Sequence, residues 1–167
     1  MSVGEHRADG RRAVACAILT VSDTRTPETD TSGALARDLL VQAGHRIVEH
    51  VILPDEPERV RAQVEAWLSA PEPEAILVNG GTGLAPRDTT YEAIAGLLEK
   101  RLDGFGELFR MLSYEQIGAA AMLSRAVAGV ARGKVVASMP GSTAAVELAM
   151  SRLVVPELGH MVKLARG

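Results

Sequence analysis

The stretch from Ala75 to Glu92, AILVNGGTGLAPRDTTYE, constrains this chain more than any other part of it. Its first five residues form a short aliphatic run with two β-branched members, the pattern of a strand buried on both faces of a sheet. Gly80, Gly81 and Gly83 follow at once. Without Cβ atoms the backbone there can turn sharply and lie close to a ligand, its amides facing an anion. Thr82 adds a hydroxyl. Arg87 and Asp88 come next, and Thr89 with Glu92 has the spacing of a capping box, which predicts a helix from about Thr90 to Lys100. Strand, glycine loop and helix N-terminus in that order is a phosphate-site layout. It is also the layout of many turns that bind nothing, and GGTG matches neither the G-x-G-x-x-G fingerprint nor the P-loop pattern. Asp88 favours a ligand. With the N-cap task given to Thr89 its carboxylate has no evident structural duty, and an acid beside an anion-binding loop calls for a bridging cation, usually Mg²⁺.

Before this stretch, aliphatic runs at 13–21 and 47–53 alternate with helical patterns, an α/β arrangement. The segment SDTRTPETDTSG after the first run is dense in hydroxyls and carboxylates, with Pro27 excluding regular structure, so it is a loop at a strand's carboxyl end. In open α/β sheets that is the ligand edge. Ser22, Asp23, Thr24 and Arg25 are therefore second-rank site candidates, against the alternative of a merely solvated loop. A helix is predicted from Ser32 to Ala43 and stopped by Gly44. In LPDEPERV, Asp55 and Glu58 have N-cap and N3 spacing before a helix striped by Val60, Val64 and Trp67, so capping by itself would explain Asp55. Pro71 and Pro73 close that helix.

Beyond Lys100 the alternation breaks down. Phe105, Leu108, Phe109 and Leu112 have helical spacing and are expected in the core or at a subunit contact. Glu107 and Arg110 on the same helix read as an exposed ion pair. Ala126–Ala131 and Lys134–Met139 flank Gly133 as two short strands or a hairpin. Pro140, Gly141 and Ser142 then make a second strand-end turn, with Ser142 as N-cap and a second seat for an anion. Pro156 is expected to divide the last helical region, leaving a helix near Glu157–Ala165.

Several function classes fall away. The net charge of -3 offers no general attraction for nucleic acid. No stretch approaches the roughly 18 apolar residues of a membrane span. Cys16, the single cysteine, lies in an apolar run and reads as a buried small hydrophobe. With no disulfide available within the chain, a reducing, cytoplasmic setting is expected. His6, His45, His50 and His160 have no metal-site spacing, and no nucleophilic triad can be argued. Residues 1–12 read as a loose polar tail before one domain at 13–167.

Taken in order, LTVSDTR at 19–25, LPDE at 53–56, NGGTG with RDTT at 79–90, GFGELFRMLSYEQIG at 104–118, MLSRAVAGV at 122–130 and PGS at 140–142 resemble the MoaB/Mog family of molybdenum cofactor biosynthesis proteins. The likeness covers residues 13–165 and is nearest to the MoaB branch. It implies a three-layer α/β/α sandwich with a mostly parallel sheet, the molybdopterin-binding fold, assembled as a homotrimer or a dimer of trimers. It also implies adenylyl transfer, in which MgATP and molybdopterin give adenylyl-molybdopterin and pyrophosphate for a molybdenum-inserting partner protein. By motif, Asp55 and Asp88 are the acidic pair associated with Mg²⁺ and catalysis. Gly80, Gly81, Thr82 and Gly83, with Ser22, Thr90 and Ser142, would surround phosphate or pterin. Glu107, Ser124 and Arg125 fall in family motifs as further substrate-binding candidates. Two departures stand out: Asn79 where serine or threonine is usual before GGTG, and PGSTAA in place of PGSPGA. The alternative reading is a non-catalytic protein that stores molybdopterin or hands it on.

Overall fold

A computed structural model describes residues 12–167 together with Ser2 and Gly4. Apart from Ser2, Gly4 and Arg12, the expected loose tail at 1–12 lies outside the described residues. The elements are β1 (Ala15–Val21), α1 (Thr31–Gln42), β2 (Arg46–Leu53), α2 (Pro57–Ser69), β3 (Ala75–Asn79), α3 (Thr90–Ala95), β4 (Lys100–Arg101), α4 (Asp103–Ile117), β5 (Val127–Ala131), β6 (Lys134–Met139), α5 (Thr143–Ala149) and α6 (Val155–Arg166). A 3₁₀ segment, Gly118–Leu123, follows α4, and a π-helical turn, Met150–Val154, joins α5 to α6.

The strands form one sheet in the order β2-β1-β3-β6-β5-β4. β2, β1, β3 and β6 run parallel, whereas β5 is antiparallel to β6 and to β4. Because side chains alternate across a strand, each central strand supplies two cores. Cys16 and Ile18 of β1 and Ala75 and Leu77 of β3 face α1, α4, α5 and α6, around Leu40, Phe109, Val146 and Leu158. Ala17, Leu19, Ile76 and Val78 face α2 and α3, around Val60, Val64, Trp67 and Ile94. The result is a three-layer α/β/α sandwich. Cys16 is fully buried, which pushes its thiol up to about 12, so it packs as a hydrophobe.

α1 lies on one face of the sheet and α2 on the other, so β2 and β3 come to flank β1 from opposite sides. The crevice outside adjacent strand ends at such a reversal is where open α/β sheets bind ligands. The carboxyl ends of β1, β2, β3 and β6 all open there.

Several boundaries differ from expectation for identifiable reasons. The helix after the glycine loop ends at Ala95, and Lys100–Arg101 instead pairs with Val130 and Gly129 as an edge strand. Two charged residues carry no strand pattern of their own. The strands around Gly133 form a hairpin whose two turn residues, Arg132 and Gly133, have positive φ of 50° and 73°, as a two-residue turn of this hand requires. Pro156 does not break the last helical region. It sits in the first turn of α6, where its missing N–H is tolerated, and the π turn before it carries the helix through. Of the α4 positions expected in the core or at a subunit contact, Phe105 and Phe109 are buried and Leu112 is partly buried against the core, while Leu108 is 47% exposed, as Met111, Tyr114, Ile117, Met122 and Leu123 also are exposed. The expected Glu107–Arg110 pair is not formed: Arg110 donates to the carbonyls of Ser124 and Ala126, both at 3.3 Å.

Candidate functional site

At the carboxyl edge of the sheet the glycine loop is shaped by contacts that only glycine allows. Gly80 has φ +105°, and a Cβ there would stand 2.1 Å from the Val21 carbonyl oxygen. Its N–H donates to the Met139 carbonyl at 3.0 Å, so this amide serves the sheet and faces no ligand. Gly81, φ +69°, has no room for a Cβ either: one would lie 2.1 Å from Thr90 Oγ1 and 2.8 Å from Asp55 Oδ2. The next four amides, of Gly81, Thr82, Gly83 and Leu84, donate to no acceptor among the described residues. Ala85 N–H closes the run by donating to Asp88 Oδ2 at 3.1 Å.

Both acids singled out from the sequence reach this loop. Asp55 is buried, and it is not the N-cap of α2. That position is Glu56, with no side-chain cap, and Pro57 starts the helix instead. Asp55 Oδ1 accepts from Thr89, at 3.3 Å from its N–H and 2.8 Å from its hydroxyl, which ties the β2 loop to the glycine loop. Oδ2 lies against Gly81. Thr89 occupies the N-cap position of α3 but does not cap it, and Glu92 pairs with Arg125, so the expected capping box is absent. Asp88, expected to lack a structural task, closes the turn through one oxygen and keeps the other without a donor. Since α3 has only six residues, the loop amides, more than a helix N-terminus, give this place its anion-binding character.

The loops from β1 and β6 complete the edge. Ser22 Oγ accepts from the amides of Thr24 and Arg25 at 3.2 and 3.0 Å, and Ser142 Oγ caps α5 by accepting from Ala145 N–H at 3.1 Å. Gly141 packs on Gly80, with room for a Cβ only at 3.1 Å from the Gly80 Cα. Arg87 donates to both oxygens of Asp23, at 2.7 and 3.1 Å, and Asp23 Oδ1 also accepts from the Asp55 N–H at 3.0 Å. The Arg87 hydrogen bonds and that amide hold the Asp23 carboxyl below its ordinary value.

Beneath the loops, Asp30 caps α1 and accepts from Thr20 Oγ1 at 2.6 Å and Gly33 N–H at 2.9 Å, with His50 Nε2 at 3.0 Å. Burial pushes its carboxyl up, but these partners outweigh burial and leave it below the usual range. Asn79 joins this network through Nδ2, donating to Thr20 Oγ1 at 3.1 Å, while its Oδ1 has no partner. The sequence reading missed this Asp30 network. Its trace was the Asp30-Thr-Ser-Gly33 spacing, an N-cap signature three residues before the amide it satisfies.

Arg125 packs against the loop from the far side. Its Nε reaches the carbonyls of Thr82 at 3.3 Å and Gly83 at 3.1 Å, its Nη2 those of Gly83 and Asp88 at 2.8 Å each, and its Nη1 pairs with Glu92. Its guanidinium also lies 5.1 Å from the Tyr91 ring centroid. Thr90 Oγ1 and Ser124 Oγ are buried without partners. Glu107 stands apart, exposed on α4 and bonded to none of these loops.

Residues 17–160 match the family described as "Probable molybdopterin binding domain". The chain is 53% identical over 164 residues to molybdenum cofactor biosynthesis protein B of Halalkalibacterium halodurans, with 98% of this chain and 96% of that protein covered. Among solved structures, a molybdenum cofactor biosynthesis protein B superposes with a TM-score of 0.90 at 50% identity, over 93% of this chain and 97% of the other. The tungsten cofactor synthesizing protein MoaB from Pyrococcus furiosus superposes with a TM-score of 0.82 at 36% identity, over 93% and 99%.

Proposed function

The chain belongs to the molybdopterin-binding domain family of molybdenum cofactor biosynthesis proteins, and from that premise we propose that it binds molybdopterin and adenylylates it with MgATP. A terminal phosphate oxygen of molybdopterin forms a bond to the α-phosphorus of ATP as the bond to pyrophosphate breaks, giving adenylyl-molybdopterin. The observation that carries the reading is the run of four undonated amides, Gly81 to Leu84, set between two carboxylates at the sheet's reversal point. Phosphoryl-type transfer is largely positioning and charge stabilisation, and needs no protein nucleophile.

In this reading the amides of Gly81 to Leu84 receive phosphate oxygens, the hydroxyls of Ser22 and Ser142 line the approach, and the buried Thr90 hydroxyl stands behind Gly81. Within their turns Ser22 already accepts two bonds and Ser142 one, and both keep their protons to donate. Asp55 and Asp88 would hold Mg²⁺. Each has one oxygen engaged by the loop and one without a donor, and Mg²⁺ is commonly held by one or two carboxylates together with substrate phosphates. Bound there, Mg²⁺ supplies neutralisation of the phosphate charge. The exposed stripe of Leu108, Met111, Tyr114 and Ile117 on α4 supports assembly as a homo-oligomer, because apolar patches of this kind mark contact surfaces.

Purified protein mixed with molybdopterin, ATP and Mg²⁺ is expected to release pyrophosphate. Molybdopterin binding without release would make the chain a carrier of the pterin. No affinity for either substrate would overturn both readings.

A further inference from the structure

We infer that Arg125 is a positioning residue that turns the glycine loop inside out, aiming amides at the anion without touching it. This rests on the functional reading above. In a trans peptide the carbonyl and the following N–H point in opposite directions. The Gly81 carbonyl accepts from Thr90 N–H at 3.1 Å, so the Thr82 N–H faces the other way. The Thr82 carbonyl accepts from the N–H of Arg125 at 3.1 Å and from its Nε, so the Gly83 N–H faces away from the guanidinium. The Gly83 carbonyl accepts from Nε and Nη2, so the Leu84 N–H does the same. Three successive carbonyls are drawn inward and three successive amides are left outward, the arrangement of an anion nest.

Arg125 is fitted to this by shape as well as charge. A guanidinium is a planar fork of five donors, and here it spans the carbonyls of Thr82, Gly83 and Asp88 from one side. Its remaining edge is fixed by Glu92, whose carboxyl the hydrogen bond from Arg125 holds below its ordinary value, and its face by Tyr91. The Asp88 carbonyl it grips precedes the Thr89 N–H that donates to Asp55. One side chain therefore acts on the direction of the Gly83 and Leu84 amides and on the strut to the buried acid together, while Thr90 N–H sets the Thr82 amide. A lysine keeps the charge but, as a point donor, cannot bridge three carbonyls.

The test uses inorganic pyrophosphate as the probe, with calorimetric titration, amide ¹⁵N shifts and thermal melting on the full chain. Wild type is expected to bind it with shifts at Thr82, Gly83 and Leu84. Arg125→Lys is expected to remain folded and to bind about 10- to 100-fold more weakly, by analogy with the loss of a group that orients a metal ligand. Arg125→Ala is expected to recover part of the lost affinity when millimolar ethylguanidinium is added, a rescue that general stabilisation would not produce. Should Arg125 variants fail to fold, Glu92→Gln removes the charge that fixes the Nη1 edge of the fork and so loosens its grip on the carbonyls, and is expected to weaken pyrophosphate binding with little change in melting temperature. A folded Arg125→Lys that binds as tightly as wild type overturns this inference alone, as does a Glu92→Gln variant with wild-type affinity. Wild type that binds no pyrophosphate overturns the functional reading, and this one with it.

Discussion

The two ends of the sheet are built to opposite rules. At the amino end of β1, β3 and β6, Glu74 is buried but fully engaged, accepting from Ala15 N–H at 3.0 Å and pairing with Arg12 at 2.6 Å and with Arg166. Beside it, buried Lys134 donates to the Trp67 carbonyl at 2.6 Å and to that of Ala70. At the carboxyl end Asp30 is likewise engaged, but other buried groups are not. The four buried side-chain polar atoms without a partner among the described residues belong to Asn79, Thr90, Ser124 and Ser138, all at or beside the strand ends that carry the candidate site. Buried polar groups are normally satisfied, and each exception asks for a reason. Here the reason is division of labour: one end is closed to hold the fold, and the other leaves hydrogen-bonding capacity for a ligand.

The largest effect that would sharpen this contrast lies at the open end. Asp88→Asn is expected to lower adenylylation by about 10²- to 10³-fold, the scale of losing one charge-stabilising group, with an unchanged melting temperature. Retained pyrophosphate release would break the assignment. Next is its counterpart at the closed end. Glu74→Ala strips a buried anion from two arginines and an amide and is expected to cost about 3 kcal/mol in urea unfolding, leaving turnover per folded molecule unchanged.

A smaller effect follows from pH. Burial raises the Glu74 carboxyl, but the Ala15 amide, Arg12 and Arg166 more than reverse this, so the native group lies below its ordinary 4.5. Its contribution is whole above about pH 4.5 and is lost as pH falls through the lower native value. The gap in melting temperature between wild type and Glu74→Gln is therefore expected to hold at neutral pH and narrow progressively on acidification below about pH 4.5, and a gap that did not change with falling pH would count against it. The smallest effect on stability belongs to Thr90→Val. Removing a buried hydroxyl that has no partner is expected to change unfolding free energy by less than about 1 kcal/mol, in either direction, while ligand affinity falls. A large destabilisation would mean that Thr90 belongs to the closed kind of construction after all.

Much of the fold was legible because its signals are local. The buried runs of β1 and β3, the half-buried run of β2, the Gly44 and Gly133 turns and the Ser142 cap each depend on a few neighbouring residues. Where expectation failed, distant partners had taken over local groups. Asp55 and Thr89 have good capping spacing within their own segments, yet each finds the other across 34 residues of sequence. Glu92 is drawn from its capping position to Arg125, 33 residues on. β4 is defined only by its pairing with β5.

By itself the sequence determined the alternation of buried strands with helices, and the place in the chain where a glycine loop must turn. Those follow from side-chain period and from the missing Cβ. Only the tertiary structure decided which segments meet there. The strand order β2-β1-β3-β6 gathers four loops at one edge, and strand order is set by how two cores pack on opposite faces of the sheet, which no local pattern of residues encodes.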